Sequence, residues 1–176
     1  MAQFYAANIL LALRYLHKNS IIYRDLKPEN VLVDAQGYLK LTDFGLSIDT
    51  VNCESEKIEC DLNIVAGTAE YMSPEILYGQ GFQKTTDFWS FGCIIYEMLT
   101  GLPPFMHNTR SVLYRKIKYE SPNLNLPYMS DSAVSICFSL LQKNPDERLG
   151  YDSIESIMSH PWFKSTNWQE IESKTV

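Results

Sequence analysis

Apolar positions recur along the chain at two periods, and the changes of period mark its elements. Over residues 2–18, Phe4, Tyr5, Ile9, Leu10, Leu13 and Leu16 return at helical spacing, which predicts an amphipathic helix. Residues 20–23 and 31–33 are short apolar runs of strand character. Asp34-Ala35-Gln36-Gly37 predicts a turn, and residues 38–41 alternate as the return strand of a hairpin. Residues 24–30 are then a loop held between short strands, a placement suited to chemistry because a rigid scaffold positions it. Residues 47–66 are polar and acidic without a period and predict a mobile loop. Residues 86–100 are apolar nearly all round, with a start near Thr85 or Thr86 and a stop at Gly101, which predicts a helix buried as the spine of the domain. Three further helices are expected at 109–119, 131–142 and 153–159. The last has a capping-box-like Asp152 and Glu155 at its start and Pro161 after its end. The expected fold is mainly α, with short β-hairpins, no internal repeats and no domain boundary.

Composition narrows the class. In 176 residues, 45% are hydrophobic and 20% charged, as in an ordinary folded domain with a sizeable core. A net charge of −6 argues against nucleic acid as the main ligand, since such sites need a basic surface. It suits a cationic partner or substrate. Cys53, Cys60, Cys93 and Cys137 form no CxxC pair and read as free thiols of a reducing compartment; Cys53 and Cys60 share one loop. The longest apolar run, residues 9–13, is far short of the roughly 20 residues of a membrane span. With no targeting signal visible, the expected location is cytoplasmic or nuclear.

Three motifs carry candidate chemistry. Tyr23-Arg24-Asp25-Leu26-Lys27-Pro28-Glu29-Asn30 fills the loop, Asp43-Phe44-Gly45 follows the hairpin, and Gly67-Thr68-Ala69-Glu70-Tyr71-Met72-Ser73-Pro74-Glu75 comes next. Each alone is a weak signal, but all three in this order resemble the catalytic loop, metal-binding segment and activation-segment end of eukaryotic protein kinases, with Tyr23 in place of the usual His. The Lys-Pro-Glu-Asn form of the loop is typical of serine/threonine kinases. With the closing His160-Pro161-Trp162-Phe163, the motifs look most like the AGC group, which includes the cyclic-nucleotide-dependent kinases.

The resemblance implies a function and its residues. The fold would be the C-terminal lobe of the α+β protein-kinase fold over residues 1–163, followed by a short extension over 164–176. The reaction would be transfer of the ATP γ-phosphate to a protein hydroxyl, with ATP and Mg²⁺ as cofactors. Asp25 would accept or orient the proton of the substrate hydroxyl, and Lys27 would neutralise charge on the phosphoryl group. Asn30 and Asp43 would bind Mg²⁺, a cation that favours hard oxygen ligands. Leu32 would form part of the floor under adenine, with Thr42 beside the metal-binding Asp43. Glu29 belongs both to this cofactor-binding loop and to the substrate groove, where Glu29 and Glu97 would pair with a substrate arginine. Thr68 would bond Asp25 and Lys27. Glu75 and Arg148 would anchor the activation segment as a buried pair, and Phe44 and Gly45 of the metal-binding segment would have a structural role in that segment too. Asp87 would hold the catalytic-loop backbone, its bland alternative being a helix cap.

The expected partners are a protein substrate with basic residues near its phosphosite, and a regulatory subunit or an upstream kinase. Arg24 would meet a phosphorylated activation-loop threonine, yet Ile64 stands at the usual position, leaving Ser55, or an unmodified Glu59 or Asp61, as candidates. No Gly-rich loop, paired lysine strand or partner glutamate helix is visible, so the chain looks like a fragment whose N-terminal lobe is absent, inactive or very weak alone. A non-catalytic C-lobe that binds substrates or regulators is the competing reading. A small-molecule kinase is less favoured, because the 67–75 segment looks like a peptide-binding one.

Overall fold

The computed structural model describes residues 1–51 and 69–176. Helix α1 spans Ala2–Lys18 and buries Ile9, Leu10 and Leu13 along the predicted stripe. Strand β1 (Ile21–Ile22) pairs antiparallel with β4 (Ile48–Asp49), and β2 (Val31–Val33) with β3 (Leu39–Leu41). Residues 47–51 therefore do not belong to an unstructured loop as expected: Thr50 donates to the Ser20 carbonyl at 2.8 Å and extends the β1–β4 pairing. The remainder of that predicted loop, with Cys53, Ser55, Glu59, Cys60, Asp61 and Ile64, lies outside the described residues, as does Thr68.

Helix α2 (Pro74–Leu77) is a single turn, and α3 (Lys84–Thr100) is the expected spine. Its start differs from the prediction. The cap is Gln83, whose N–H donates to Thr86 Oγ1 at 3.1 Å, so Thr85 and Thr86 lie inside the first turn. The end is as read: Gly101 closes the helix in the left-handed region, at φ +83°, where a side chain is disfavoured. Phe88, Trp89, Phe91 and Ile95 are buried, and α1 packs on one flank of α3 while α5 (Asp131–Leu140) packs on another. Gly92 permits the second approach, because a Cβ there would stand 2.8 Å from Leu140 Cβ.

Helix α4 (Arg110–Tyr119) precedes α5, and α6 (Ile154–Met158) follows it. The cap of α6 is Ser153, whose Oγ accepts from the Glu155 N–H at 3.1 Å, and not Asp152 as expected. The hydroxyl sits at the position where the first turn leaves its N–H groups unpaired. The extension at 164–176 contains a helix that the pattern did not reveal, α7 (Trp168–Ser173), with Ile171 buried and α1 as its neighbour. The tail then reaches the β2–β3 turn: Lys174 Nζ meets Asp34 Oδ2 at 2.8 Å. Burial of Cys93 and Cys137, both free, pushes their thiols up, to about 12 for Cys137. No helix among the described residues is long and apolar enough to cross a membrane.

Candidate active site

Loop 24–30 is fixed from below by one carboxylate. Asp87, in the first turn of α3 and buried, accepts the Tyr23 N–H at 2.9 Å and the Arg24 N–H at 2.8 Å. It therefore holds the backbone of the loop and does not cap its own helix. The same carboxylate meets His17 Nε2 at 2.7 Å, and His17 is itself buried at the end of α1. The motif reading missed His17. Its signal was a polar residue four positions after Leu13, on the stripe that faces the core. Arg24 takes a left-handed backbone conformation at φ +69°, which is uncommon for a residue with a side chain. Two fixed amides at the entry to that residue hold the bend in place.

Beyond the bend, a 3-10 turn at Pro28–Asn30 folds the loop back on itself, with Pro28 in the first position, where a missing N–H costs nothing. Asn30 Nδ2 thereby donates to both the Asp25 carbonyl, at 2.9 Å, and Asp25 Oδ2, at 2.7 Å. Lys27 Nζ reaches the two Asp25 oxygens at 2.9 and 2.8 Å. Asp25, Lys27 and Asn30 thus share one carboxylate-centred cluster.

The β2–β3 hairpin brings the second motif to the same place. Its register sets Val31 against Leu41, and the Thr42 N–H and Oγ1 both donate to the Asn30 carbonyl, at 2.9 and 3.1 Å. Asp43 follows at φ +57°, exposed, with Oδ1 accepting the Gly45 N–H at 3.2 Å. A Cβ on Gly45 would stand 3.2 Å from that same Oδ1, so the close turn favours glycine. Tyr23 lies beneath both motifs, bonded from its hydroxyl to the Thr42 carbonyl and edge-on to the Phe44 ring at 5.4 Å. Burial, and then the charges of Asp25, Asp43 and Asp87, push its phenol well above the usual range. Leu32, on β2, is 56% exposed.

The residues that would hold a hard divalent cation are Asn30 and Asp43. The Asn30 amide nitrogen is committed to Asp25, and Asp43 is exposed with one carboxylate oxygen on the Gly45 N–H. Among the described residues no three His, Cys, Asp or Glu side chains converge on one point. Two protein oxygens without a full cage suit Mg²⁺, which keeps waters and phosphate oxygens as its other ligands.

Arg24 stacks over Phe82 at 4.5 Å and donates from Nε to the Leu46 carbonyl. Glu97 accepts from the Tyr71 hydroxyl. Burial, then the hydrogen bond and charge of Glu97 and after them the charge of Glu29, push the Tyr71 phenol up. Tyr71 was not singled out among the motif residues. Its carbonyl accepts from Ser90 Oγ at 2.9 Å, fixing the 3-10 turn Ala69–Tyr71 on α3. Glu75 and Arg148 form a buried two-bond pair at 2.7 and 2.9 Å.

A model of the protein kinase domain family matches residues 1–163. The chain belongs to the protein kinase domain family. It is 45% identical over 176 residues, all of its length, to "Probable cAMP-dependent protein kinase catalytic subunit" of Encephalitozoon cuniculi, of which it covers 52%. It is 43% identical over 173 residues, 98% of its length, to "Protein kinase 2" of Dictyostelium discoideum, of which it covers 34%. To "Serine/threonine-protein kinase YPK2/YKR2" of Saccharomyces cerevisiae it is 42% identical over 171 residues, 97% of its length, covering 24% of that protein. These homologues are serine/threonine kinases of the AGC type. The chain spans about a quarter to a half of the length of these relatives, and its mainly helical structure is that of a kinase C-terminal lobe.

Proposed function

We propose that this chain is the catalytic-loop part of a serine/threonine protein kinase that transfers the γ-phosphate of ATP to a hydroxyl of a basic protein substrate. The observation that carries the reading is the Asp25 carboxylate, held between the Lys27 ammonium and the Asn30 amide with Asp43 across the hairpin base. Asp25 positions the substrate hydroxyl and takes its proton. Lys27, already at the carboxylate, places its charge beside the oxygens that gain charge as the phosphoryl group moves. Asn30 and Asp43 would hold Mg²⁺, which when bound neutralises phosphate charge. His17 and Asp87 keep the loop backbone in register so that Asp25 does not swing. Glu97, bonded to the Tyr71 hydroxyl, and Glu29 of the loop would offer carboxylates to a substrate guanidinium, which supports a basophilic preference.

This part of the protein works poorly alone. The side chains offered to a nucleotide, Leu32 and Asp43, are exposed, and a wet site weakens every charge interaction on which transfer depends. The isolated chain is therefore expected to turn over far below the roughly 1–100 s⁻¹ of intact kinases. Calorimetry with Mg²⁺-ATP, on the native chain and on Asp43→Ala, tests the nucleotide site. Weak binding that the substitution removes supports the reading. Binding that survives Asp43→Ala, or turnover of the isolated chain in the intact-kinase range, contradicts it.

A further inference from the structure

Lys143 follows α5 in the segment that leads to Arg148, and the chemistry assigned to loop 24–30 makes no use of it. Its side chain enters a slot built by elements distant in sequence. Nζ stands 4.0 Å from the centre of the Phe105 ring and 4.9 Å from that of Trp89, and the two rings stack on each other at 5.8 Å. Among the described residues no other lysine lies over two rings, and no carboxylate pairs with Lys143. Its amine donates instead to the Ile117 carbonyl at 2.6 Å. That carbonyl belongs to the last turn of α4, where the helix itself offers no partner.

The bond to Ile117 accounts for a donor at this place and not for a charge, since a neutral amine also donates. The ring faces attract an ammonium. Removal from water acts the other way and is the larger effect: burial lowers the Lys143 ammonium from its ordinary 10.5 to about 8. Arg148, whose guanidinium lies 5.2 Å from the same Trp89 ring, adds to the lowering, while Cys93 and Glu120 oppose it. Cys93 opposes only as a thiolate, and burial keeps its thiol neutral. A lysine in apolar surroundings beside a second cation is the setting in which an amine becomes a nucleophile near neutral pH.

We propose that Lys143 is an acyl-acceptor site, whose amine takes a short-chain acyl group from a thioester. The Nζ lone pair attacks the thioester carbonyl carbon, the C–S bond breaks, and the thiolate leaves with the bonding electrons. The nitrogen gives one proton to that thiolate, so the products are an amide and a thiol. The slot favours this product over others open to an amine. The amide is uncharged, so no ion is held away from water, and it keeps one N–H for the Ile117 carbonyl. A neutral imine formed with an aldehyde has no N–H and would strand that carbonyl. A carbamate formed with carbon dioxide would bring an anion into apolar surroundings. The proposal is independent of the kinase reading, since it needs neither nucleotide nor substrate protein.

The test treats the full chain with the acetyl thioester of N-acetylcysteamine and follows acetylation of each lysine by peptide mass spectrometry. Lys18 and Lys164, both exposed, are the internal comparison. At about pH 7.5, about a quarter of an amine with a pKa of about 8 is neutral, against about a thousandth of one at the ordinary value. Lower basicity reduces intrinsic nucleophilicity by about tenfold, on the trade-off known for thiols. Lys143 should therefore be acetylated about tenfold or more faster than Lys18 and Lys164. Its rate should level off above about pH 8 while theirs go on rising. In urea that unfolds the chain the three rates should converge, because the slot no longer exists. Acetylation of Lys143 no faster than of Lys18 and Lys164, a preference that survives in urea, or a Lys143 rate that still climbs beyond about pH 9 would overturn the proposal.

Discussion

Replacing Arg148 by Met separates a buried charge from its partner and tests the energetic reading of this lobe. The Arg148 side chain is fully buried and the Glu75 side chain is 1% exposed. Arg148 also donates to the carbonyls of Thr85 at 2.7 Å, Gln142 at 3.1 Å and Lys143 at 3.5 Å, so five hydrogen bonds end on one guanidinium. Without it the Glu75 carboxylate keeps one weak donor, Thr86 Oγ1 at 3.3 Å, and the three carbonyls lose their partner. Breaking a buried pair by removing one member costs about 3–5 kcal/mol. A domain of this size is stable by roughly 5–15 kcal/mol, so the loss is a large fraction of the whole. Glu75→Gln should cost less, because Arg148 keeps its three carbonyls. The double variant should cost less than the sum of the two singles by roughly 1–3 kcal/mol, since it contains no stranded charge. Urea unfolding followed by tryptophan fluorescence suits the assay, since Trp89 lies 5.2 Å from the guanidinium. A cost for Arg148→Met below about 1 kcal/mol, or strict additivity of the pair, refutes the argument that an uncompensated charge sets the penalty.

Other outcomes follow from the same geometry. Gly150→Ala should cost about 2–5 kcal/mol in urea melts, because φ is +99° and the new Cβ would stand 2.6 Å from Phe88 and 2.7 Å from Ile157; wild-type stability would show that the neighbours yield. Lys174 holds the Asp34 carboxyl down at about 2, chiefly through its hydrogen bond. A depressed carboxyl stabilises the fold above its ordinary value near 3.8, and the contribution is lost as pH falls through about 2. Lys174→Met should move the Asp34 titration, followed by carboxyl NMR, up towards that ordinary value, and an unmoved titration removes the role assigned to Lys174. Ser130→Ala, which deletes an acceptor 3.3 Å from the Ala133 N–H at the start of α5, should cost about 1 kcal/mol, again read by urea unfolding. On the proposed kinase reading, His17→Leu should lower kcat with little change in the KM for ATP, since His17 bonds Asp87, which holds the loop of Asp25, and does not touch the nucleotide; a change in KM alone would count against that path.

Much of the architecture was legible in the chain because helices and hairpins are written in local periods. The α1 stripe, the β2–β3 hairpin with its Asp34–Gly37 turn, and the Gly101 stop of α3 each need only neighbours a few residues away. The catalytic-loop motif was legible for the same reason. Asp25, Lys27 and Asn30 lie within six residues, and their mutual bonds span at most five. The start of α3, the cap of α6 and the helix α7 were not readable, since a hydroxyl or amide can cap from several positions and a six-residue helix shows less than two full turns of pattern. The His17–Asp87 pairing, 70 positions apart, was decided by tertiary structure alone, whereas the Glu75–Arg148 pair, 73 apart, was implied by the family resemblance and by no local period. Nothing near His17 or Tyr71 in the chain indicates which carboxylate will meet it. Removing a charge from water is tolerable only where a partner waits, and that partner is supplied by the packing of α1 on α3 and of the Arg148 segment beneath α2 and α3. Local order follows from residue type and spacing, whereas the pairing of buried polar groups follows from where distant elements come to rest.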